Sequence, residues 1–453
     1  MPMMNEQDTI AAIATPPGSG GIGIIRISGP KAEEILLRVF RPAAKNEKKP
    51  ESHLMIYGFL ADGEETVDEC MAVLMRSPRS YTREDVAELQ LHGGAYVLNR
   101  ALGLCLREGA RLAEAGEFTR RAFLNGRVDL SRAEAVMNLI AARGDQQHRA
   151  AIRQMNGGAA SFIRGFADEL YNLQAGLAAC IDYPEEISDE EGSGTLKTGL
   201  HALITRLENA IDEHASRLIH QGLQVALIGK PNVGKSSLLN ALIGEERAIV
   251  TDIPGTTRDT LQGEMELKGF RVLLTDTAGI RATNDPVEKI GVERSEKART
   301  EADAILLILD GSEPLGEDDR ELLARFDEKG AVVINKNDLP QQITAETVQA
   351  VRPGAFCITL SAKDQESLSP LINWLEGFVS VSDQLALTQP RHLDAANRAL
   401  HHLKDALMTL ESYTPDVAAT DLQSAQSALS EITGDRADEA LLDRVFSRFC
   451  VGK

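Results

Sequence analysis

The octapeptide Gly229-Lys230-Pro231-Asn232-Val233-Gly234-Lys235-Ser236 lies between an apolar run, Leu223–Ile228, and a helical pattern that starts near Ser236. In that setting Gly-x-x-x-x-Gly-Lys-Ser is a phosphate-binding loop. Gly229 and Gly234 let the backbone curl so that the amides of Asn232, Val233, Gly234, Lys235, Ser236 and Ser237 point inward. Lys235 reaches the terminal phosphates, the Ser236 hydroxyl ligates Mg2+, and the helix start adds its positive dipole end.

Three later segments select the nucleotide, and each follows a strand-like run, where open α/β sheets bind their ligands. Arg271–Leu274 leads into Asp276-Thr277-Ala278-Gly279, a carboxylate to hold Mg2+ through water and a glycine N–H near the γ-phosphate. Val332–Ile334 leads into Asn335-Lys336-Asn337-Asp338. The Asp338 carboxylate accepts two hydrogen bonds from N1–H and the exocyclic amine of guanine, a donor pair that adenine lacks. Phe356–Leu360 leads into Ser361-Ala362-Lys363, in position to close over the base. Together these make GTP the expected nucleotide. Ile280 follows Gly279 where many small GTPases place a water-orienting Gln, so another group must stabilise the transferring phosphoryl. Asn232 and the carbonyls of Thr251, Asp252, Ile253, Pro254, Gly255, Thr256 and Thr257 form an expected oxygen cage for a monovalent cation.

At 453 residues the chain is long enough for two to three domains. No apolar run approaches the ~18 residues of a membrane span, the longest being about Ala304–Leu309. The N-terminus shows no basic segment followed by an apolar one, and the five cysteines form no Cys-x-x-Cys pair; both point to a cytoplasmic protein with reduced thiols. A net charge of −20 argues against broad, sequence-blind nucleic-acid binding, so any RNA contact should be local or shared with a partner.

The expected architecture is multi-domain, α/β and α. Residues 1–120 read as mixed α/β, with strands at Ile22–Ser28, Met71–Met75 and Val86–Leu91 and helices at Ala32–Phe40 and Val97–Glu108. Gly18-Ser19-Gly20-Gly21 matches the Gly-x-x-Gly clamp of KH domains only superficially, because Pro16-Pro17 forbids the helix required before it. His92 reads as a turn or core histidine. Residues 121–220 are helical, and Leu203, Leu207, Ala210, Ile211, His214 and Leu218 read as one helix capped at Gly222. The acidic run from Glu185 to Glu191 reads as a solvated loop. Residues 221–379 form the G domain. In residues 380–453 one stripe runs from Leu393 to Leu410, and a second helix, Leu422–Ile432, starts at Thr420-Asp421 and stops at Gly434. Neither helical half can cover a core alone, so the G domain is expected to interrupt one helical domain.

Motifs along the whole chain resemble the MnmE (TrmE) family of tRNA-modification GTPases, within the TrmE-Era-EngA-YihA-Septin-like group. They are Ala14-Thr15-Pro16-Pro17-Gly18, Arg26-Ile27-Ser28-Gly29, Tyr81-Thr82-Arg83-Glu84-Asp85-Val86, His92-Gly93-Gly94, Gly116-Glu117-Phe118-Thr119 and Arg121-Ala122-Phe123-Leu124-Asn125-Gly126, then Asp182-Tyr183-Pro184, the nucleotide motifs, and terminal Phe449-Cys450-Val451-Gly452-Lys453. The resemblance implies a homodimer with an N-terminal tetrahydrofolate-binding fold and a Ras-like G domain. It also implies a heterotetramer with an FAD-dependent MnmG (GidA) partner, so that FAD enters only through that partner. The complex would add a (carboxymethyl)aminomethyl group at C5 of the wobble uridine of certain tRNAs.

The resemblance assigns folate contacts, for 5-formyl-tetrahydrofolate or another reduced folate, to Arg26, Glu88, Arg127 (commonly Lys in the family) and Lys453. It implies K+ as the monovalent cation, with Asn232, Thr251, Ile253 and Thr256 as ligands, and Mg2+ on Ser236 and Thr257. Glu288 would orient the attacking water through a second water, and Cys450 would take part in modification. The competing expectation is a ribosome-assembly or signalling GTPase whose output is binding. A second G domain or a C-terminal KH domain would mark that class, and the motifs show neither.

Overall fold

The computed structural model describes residues 8–44, 50–183, 189–247, 262–276, 300–326, 329–380, 386–412 and 415–452. The N-terminal part runs β1 (Ile10–Ile13), β2 (Gly20–Ser28), α1 (Ala32–Val39), β3 (Phe40–Pro42), β4 (Met55–Asp62), β5 (Glu65–Met75), β6 (Val86–Gly93), α2 (Ala95–Arg107), β7 (Arg111–Leu112) and α3 (Glu117–Leu124). Its strands form one sheet of order β3-β4-β5-β6-β2-β1-β7. Strand alternation sends Ile25, Ile27, Ala72, Leu74, Ala87, Leu89 and Leu91 into one core with Ile35, Leu36, Leu98 and Leu104 of α1 and α2. Arg26, Glu88 and Gln90 occupy the alternate positions of the same strands. The register places Arg26 directly opposite Glu88 on β2 and β6.

Helices follow: α4 (Leu130–Ala141), α5 (Asp145–Met155), α6 (Gly158–Asp182), α7 (Asp189–Ala210) and α8 (Glu213–Gln221). The expected single helix through Leu203 and Leu218 is two. Asp212 adopts extended backbone and its carboxylate accepts from the Ala215 amide at 2.8 Å, an N-cap worth ~1 kcal/mol that restarts the chain as α8. Gly222, at φ 78°, does end that helix, its amide donating to the Leu218 carbonyl. The acidic run expected to be all loop is helical from Asp189 onward.

The G domain runs β8 (Leu223–Ile228), α9 (Lys235–Arg247), β9 (Gln262–Leu267), β10 (Phe270–Asp276), β11 (Ala304–Asp310), α10 (Glu317–Ala324), β12 (Gly330–Asn335), α11 (Ala345–Val351), β13 (Phe356–Thr359) and α12 (Ser369–Glu376). The sheet order is β9-β10-β8-β11-β12-β13, antiparallel only between β9 and β10. Strands β11 and β12 are covered on both faces, hence the continuous apolar runs Ala304–Leu309 and Ala331–Ile334. The chain closes with α13 (Pro390–Ser412), α14 (Pro415–Thr433) and α15 (Glu439–Phe446). Helix α14 begins at Pro415 rather than at Thr420-Asp421, because proline suits a first helical turn.

The helices before and after the G domain pair across it, α6 with α14 and α7 with α13, as the shortage of helices in either half requires. Two compact units result: residues 1–137, 154–182 and 415–453, and residues 138–153 and 183–414. Among the described residues no helix is long and apolar enough to cross a membrane.

Candidate functional site

In the G-domain unit, β8 ends in the middle of the sheet, between β10 and β11, and the phosphate loop crosses the carboxyl end of that strand. Gly229 and Gly234 take φ of 152° and 99°. A Cβ on Gly234 would lie 2.2 Å from Asn335 Nδ2, so only glycine permits this approach. Asn232 also has a left-handed φ, 67°, and lies exposed at the tip of the loop. Lys235 is buried, 5% exposed, with Nζ donating to the carbonyls of Gly229, 2.7 Å, and Lys230. Burial lowers its pKa and Asp276 pulls the other way. Ser236 and Ser237 open α9.

Ser236 Oγ donates to Asp276 Oδ2 at 3.1 Å. A hydroxyl and a carboxylate at hydrogen-bonding distance are the hard oxygen donors that Mg2+ prefers, so these two residues fit that ion, which would neutralise developing phosphate charge. The base-directed loops are equally tied. Asn335, 2% exposed, donates from Nδ2 to the Val233 carbonyl at 2.8 Å and accepts at Oδ1 from the Ala362 amide at 3.0 Å. Asp338 accepts from Ser361 Oγ at 2.8 Å and from Lys363 Nζ at 3.1 Å, and these donors hold its pKa below the ordinary carboxylate value. Lys336 pairs with Asp310 at the end of β11; burial alone would push the Asp310 carboxyl up, but Lys336 and Ser312 bring it down.

Two contacts here were not anticipated. Lys230, a variable position of the loop motif, pairs with Asp319 at 2.7 Å, and Asp319 also accepts from the Gly316 amide, so the loop is latched to the start of α10. The Lys336–Asp310 pair likewise fixes the base loop to the neighbouring strand. Neither partner carboxylate belongs to a motif, so no spacing signalled them. Thr251, Asp252, Ile253, Pro254, Gly255, Thr256, Thr257, Thr277, Ala278, Gly279, Glu288 and Lys453 lie outside the described residues.

The N-terminal unit gathers the other candidates. Arg26 Nε binds Glu88 Oε1 at 2.7 Å, both side chains being less than one-fifth exposed. Arg26 Nη1 also donates to the Gly452 carbonyl at 3.2 Å. Its guanidinium lies 5.5 Å from the ring centre of Tyr81 and 5.7 Å from that of Phe118, within cation–π range. Arg127 stacks on the same Tyr81 ring at 4.7 Å and donates to the Tyr81 carbonyl at 3.0 Å. The tail reaches this place because Val451 bridges Ala115 in antiparallel fashion and Phe446 and Phe449 pack with Leu130 and Ala133. Cys450 is exposed there. His92, by contrast, is neither core nor turn. It is the last residue but one of β6, with an exposed ring whose Nδ1 lies 2.7 Å from Asp68, which raises its pKa.

Beneath that group the motifs converge on a buried ionic network. Glu117, 1% exposed, accepts from Arg111 at 2.6 Å and from Arg121 at 3.0 Å; Arg111 and Arg121 both bind Asp8. Arg121 continues to Glu84, which accepts from Ser28 Oγ, itself 2.7 Å from Thr82 Oγ1. Burial alone would raise the Glu117 carboxyl, but donation from Arg111, the Glu114 amide and Arg121 outweighs it and lowers the pKa. The Ser28, Thr82, Glu84, Glu117 and Arg121 positions of the recurrent motifs therefore hold the scaffold under Arg26 and Glu88.

A phosphate loop, a divalent-cation corner and a guanine-directed carboxylate on a central sheet of this order define a P-loop GTPase. Sequence comparison extends over the whole chain. Residues 9–127 match the family described as GTP-binding protein TrmE N-terminus, and residues 130–450 match the MnmE helical domain. The tRNA modification GTPase MnmE of Clostridioides difficile (strain 630) is 43% identical over 455 residues, 98% of this chain and 99% of that protein. The protein of the same name from Listeria welshimeri is 44% identical over 457 residues, 99% of this chain and 100% of that one. The chain belongs to the MnmE family of tRNA-modification GTPases, with a TrmE-type N-terminal domain, a helical domain and an inserted G domain. A crystal structure of the G domain of the T. maritima FeoB iron transporter aligns with 35% of this chain and 99% of that one at 27% identity, but its TM-score, 0.28, is too low to argue from.

Proposed function

We propose that this GTPase, together with an FAD-dependent MnmG-type partner, adds a (carboxymethyl)aminomethyl group to C5 of the wobble uridine of certain tRNAs, drawing the one-carbon unit from a reduced folate. The observation that carries this reading is the meeting of Arg26, Glu88 and the Gly452 carbonyl at one place, with Tyr81 and Arg127 alongside. A pterin offers a donor edge to a carboxylate such as Glu88, and the folate carboxylates suit guanidinium groups. In this reading Cys450, two residues before Gly452 on the same tail, takes part in the modification.

Several finer assignments belong to this proposal. Potassium held by Asn232, Thr251, Ile253 and Thr256 supplies the positive charge beside the phosphates, Thr257 joins Ser236 on Mg2+, and Glu288 orients water. The protein works in the cytoplasm as a homodimer and as a heterotetramer with its partner, touching tRNA locally. Exposed apolar side chains at Ile22 on β2, the strand of Arg26, and at Met55 and Tyr57 on β4 of the same sheet support self-association through the N-terminal unit.

The deciding experiment is nucleoside analysis of tRNA from cells lacking the protein. Loss of the modified wobble uridine, restored by the wild-type chain, is expected; an unchanged pool would sink the proposal. For hydrolysis, GTP turnover in KCl should exceed that in NaCl at equal ionic strength, and Asn232→Ala should erase the difference.

A further inference from the structure

Tyr81, over whose ring Arg26 lies, also lines an open cleft of about 500 Å³ in which Arg79, Arg83 and Arg127 stand around Met75, Pro78 and Tyr81. Among the described residues none of these three arginines has a carboxylate within ion-pair distance. Arg76, Arg111, Arg120 and Arg121 of the same unit are each paired with one. In a chain with 68 acidic and 48 basic side chains, three uncompensated guanidinium groups around one cleft run against the composition. The nearby carboxylates are engaged elsewhere: Glu84 with Arg121 and Ser28, Asp85 with the Ser77 amide, Glu33 with Arg76.

Two of the arginines are also held in place. Arg83 sits at a left-handed φ of 61°, unfavourable for a residue with a side chain, and donates one N–H to the Asn125 carbonyl at 2.9 Å. Arg127 donates one N–H to the Tyr81 carbonyl and stacks on its ring. A guanidinium has five donors, so each keeps most of its capacity for an anion.

We propose that this cleft is a polycarboxylate subsite that takes the γ-linked glutamate chain of a reduced folate. The proposal deepens the folate reading of Arg26 and Glu88 and rests on it. Tyr81 is the shared wall: it lines the cleft, and both Arg26 and Arg127 lie over its ring. A ligand anchored at Glu88 passes Tyr81 and meets the arginines with its carboxylates, one guanidinium for each of several glutamates.

The test is calorimetry with 5-formyl-tetrahydrofolate carrying one or three glutamates, on the full-length protein and on Arg79→Ala and Arg79→Ala/Arg83→Ala variants. Arg79 is exposed and makes no side-chain hydrogen bond or ion pair among the described residues, so its single variant is expected to keep the fold. The triglutamate should bind roughly tenfold or more tighter than the monoglutamate, an advantage that salt weakens. Both variants should lose much of that advantage while their monoglutamate affinity changes far less. Equal affinity for both folates in the wild type would overturn the subsite and leave the folate reading standing. Binding of neither folate would overturn both. Weaker tRNA binding by the variants, with folate affinities untouched at both lengths, would assign the cleft to an RNA backbone and also overturn the proposal.

Discussion

Asn335 Nδ2 donates to the Val233 carbonyl at 2.8 Å, so a residue of the base-directed loop closes the phosphate loop from above. Its Oδ1 meanwhile holds the Ala362 amide. Replacing Asn335 with Ala leaves a buried carbonyl and an amide without partners, at a cost of ~1–3 kcal/mol. GTP affinity should fall ~10- to 100-fold, read by titration with a fluorescent nucleotide. An unchanged dissociation constant would contradict this coupling of the two loops.

Asp338 is held for the base by Ser361 and Lys363, and Asp338→Asn puts an amide where a carboxylate would accept two hydrogen bonds from guanine. Preference should pass from guanine to xanthine, whose C2 carbonyl accepts from that amide. Competition between GTP and xanthosine triphosphate measures the exchange; a variant that still prefers GTP as strongly as the wild type would refute the assignment.

Acid should weaken the Asp8–Arg111–Glu117–Arg121 network. The Asp8 and Glu117 carboxyls both lie below their ordinary values in the folded protein, Asp8 because Arg111 and Arg121 outweigh its own burial. Their stabilisation is therefore complete above the unfolded carboxylate range, ~4, and is lost as pH falls through the lower folded values. Glu117→Gln should cost ~3–5 kcal/mol near neutrality, because Arg111 and Arg121 lose a buried counter-charge, and should flatten the decline below pH ~4. Urea unfolding across this pH range measures both effects. A parallel pH dependence in wild type and variant would exclude the network as the cause.

Features with local causes were legible in the sequence. The phosphate loop, the strands feeding Asp276, Asn335 and Ser361, and the cap at Gly222 each depend on residues a few positions apart. What was hidden depends on separation. Asp8 and Arg121 lie 113 positions apart and Arg26 and Gly452 lie 426 apart, so no spacing could show that they meet. The break at Asp212 was masked for another reason: Leu207 and Leu218 keep helical period through it, while a single side-chain cap decides the geometry.

Gly452 tests whether the docked tail matters to function. It adopts φ of 94°, and a Cβ there would stand 2.3 Å from the Ile13 carbonyl and 2.9 Å from the Ala14 Cα, both main-chain atoms of the N-terminal unit that cannot give way cheaply. Gly452→Ala therefore carries a backbone strain of ~1 kcal/mol or more together with a collision that only undocking relieves. Undocking would also withdraw the carbonyl from Arg26 and release Cys450 from its backbone bond with Gly116. The phosphate and base loops belong to the other compact unit and share none of these contacts, so GTP affinity should be unchanged. Carboxypeptidase should trim the variant faster than the wild type, and wobble-uridine modification should drop while GTP binding persists. Wild-type modification together with rapid trimming would show that the tail, and Cys450 with it, serves only to complete the N-terminal fold.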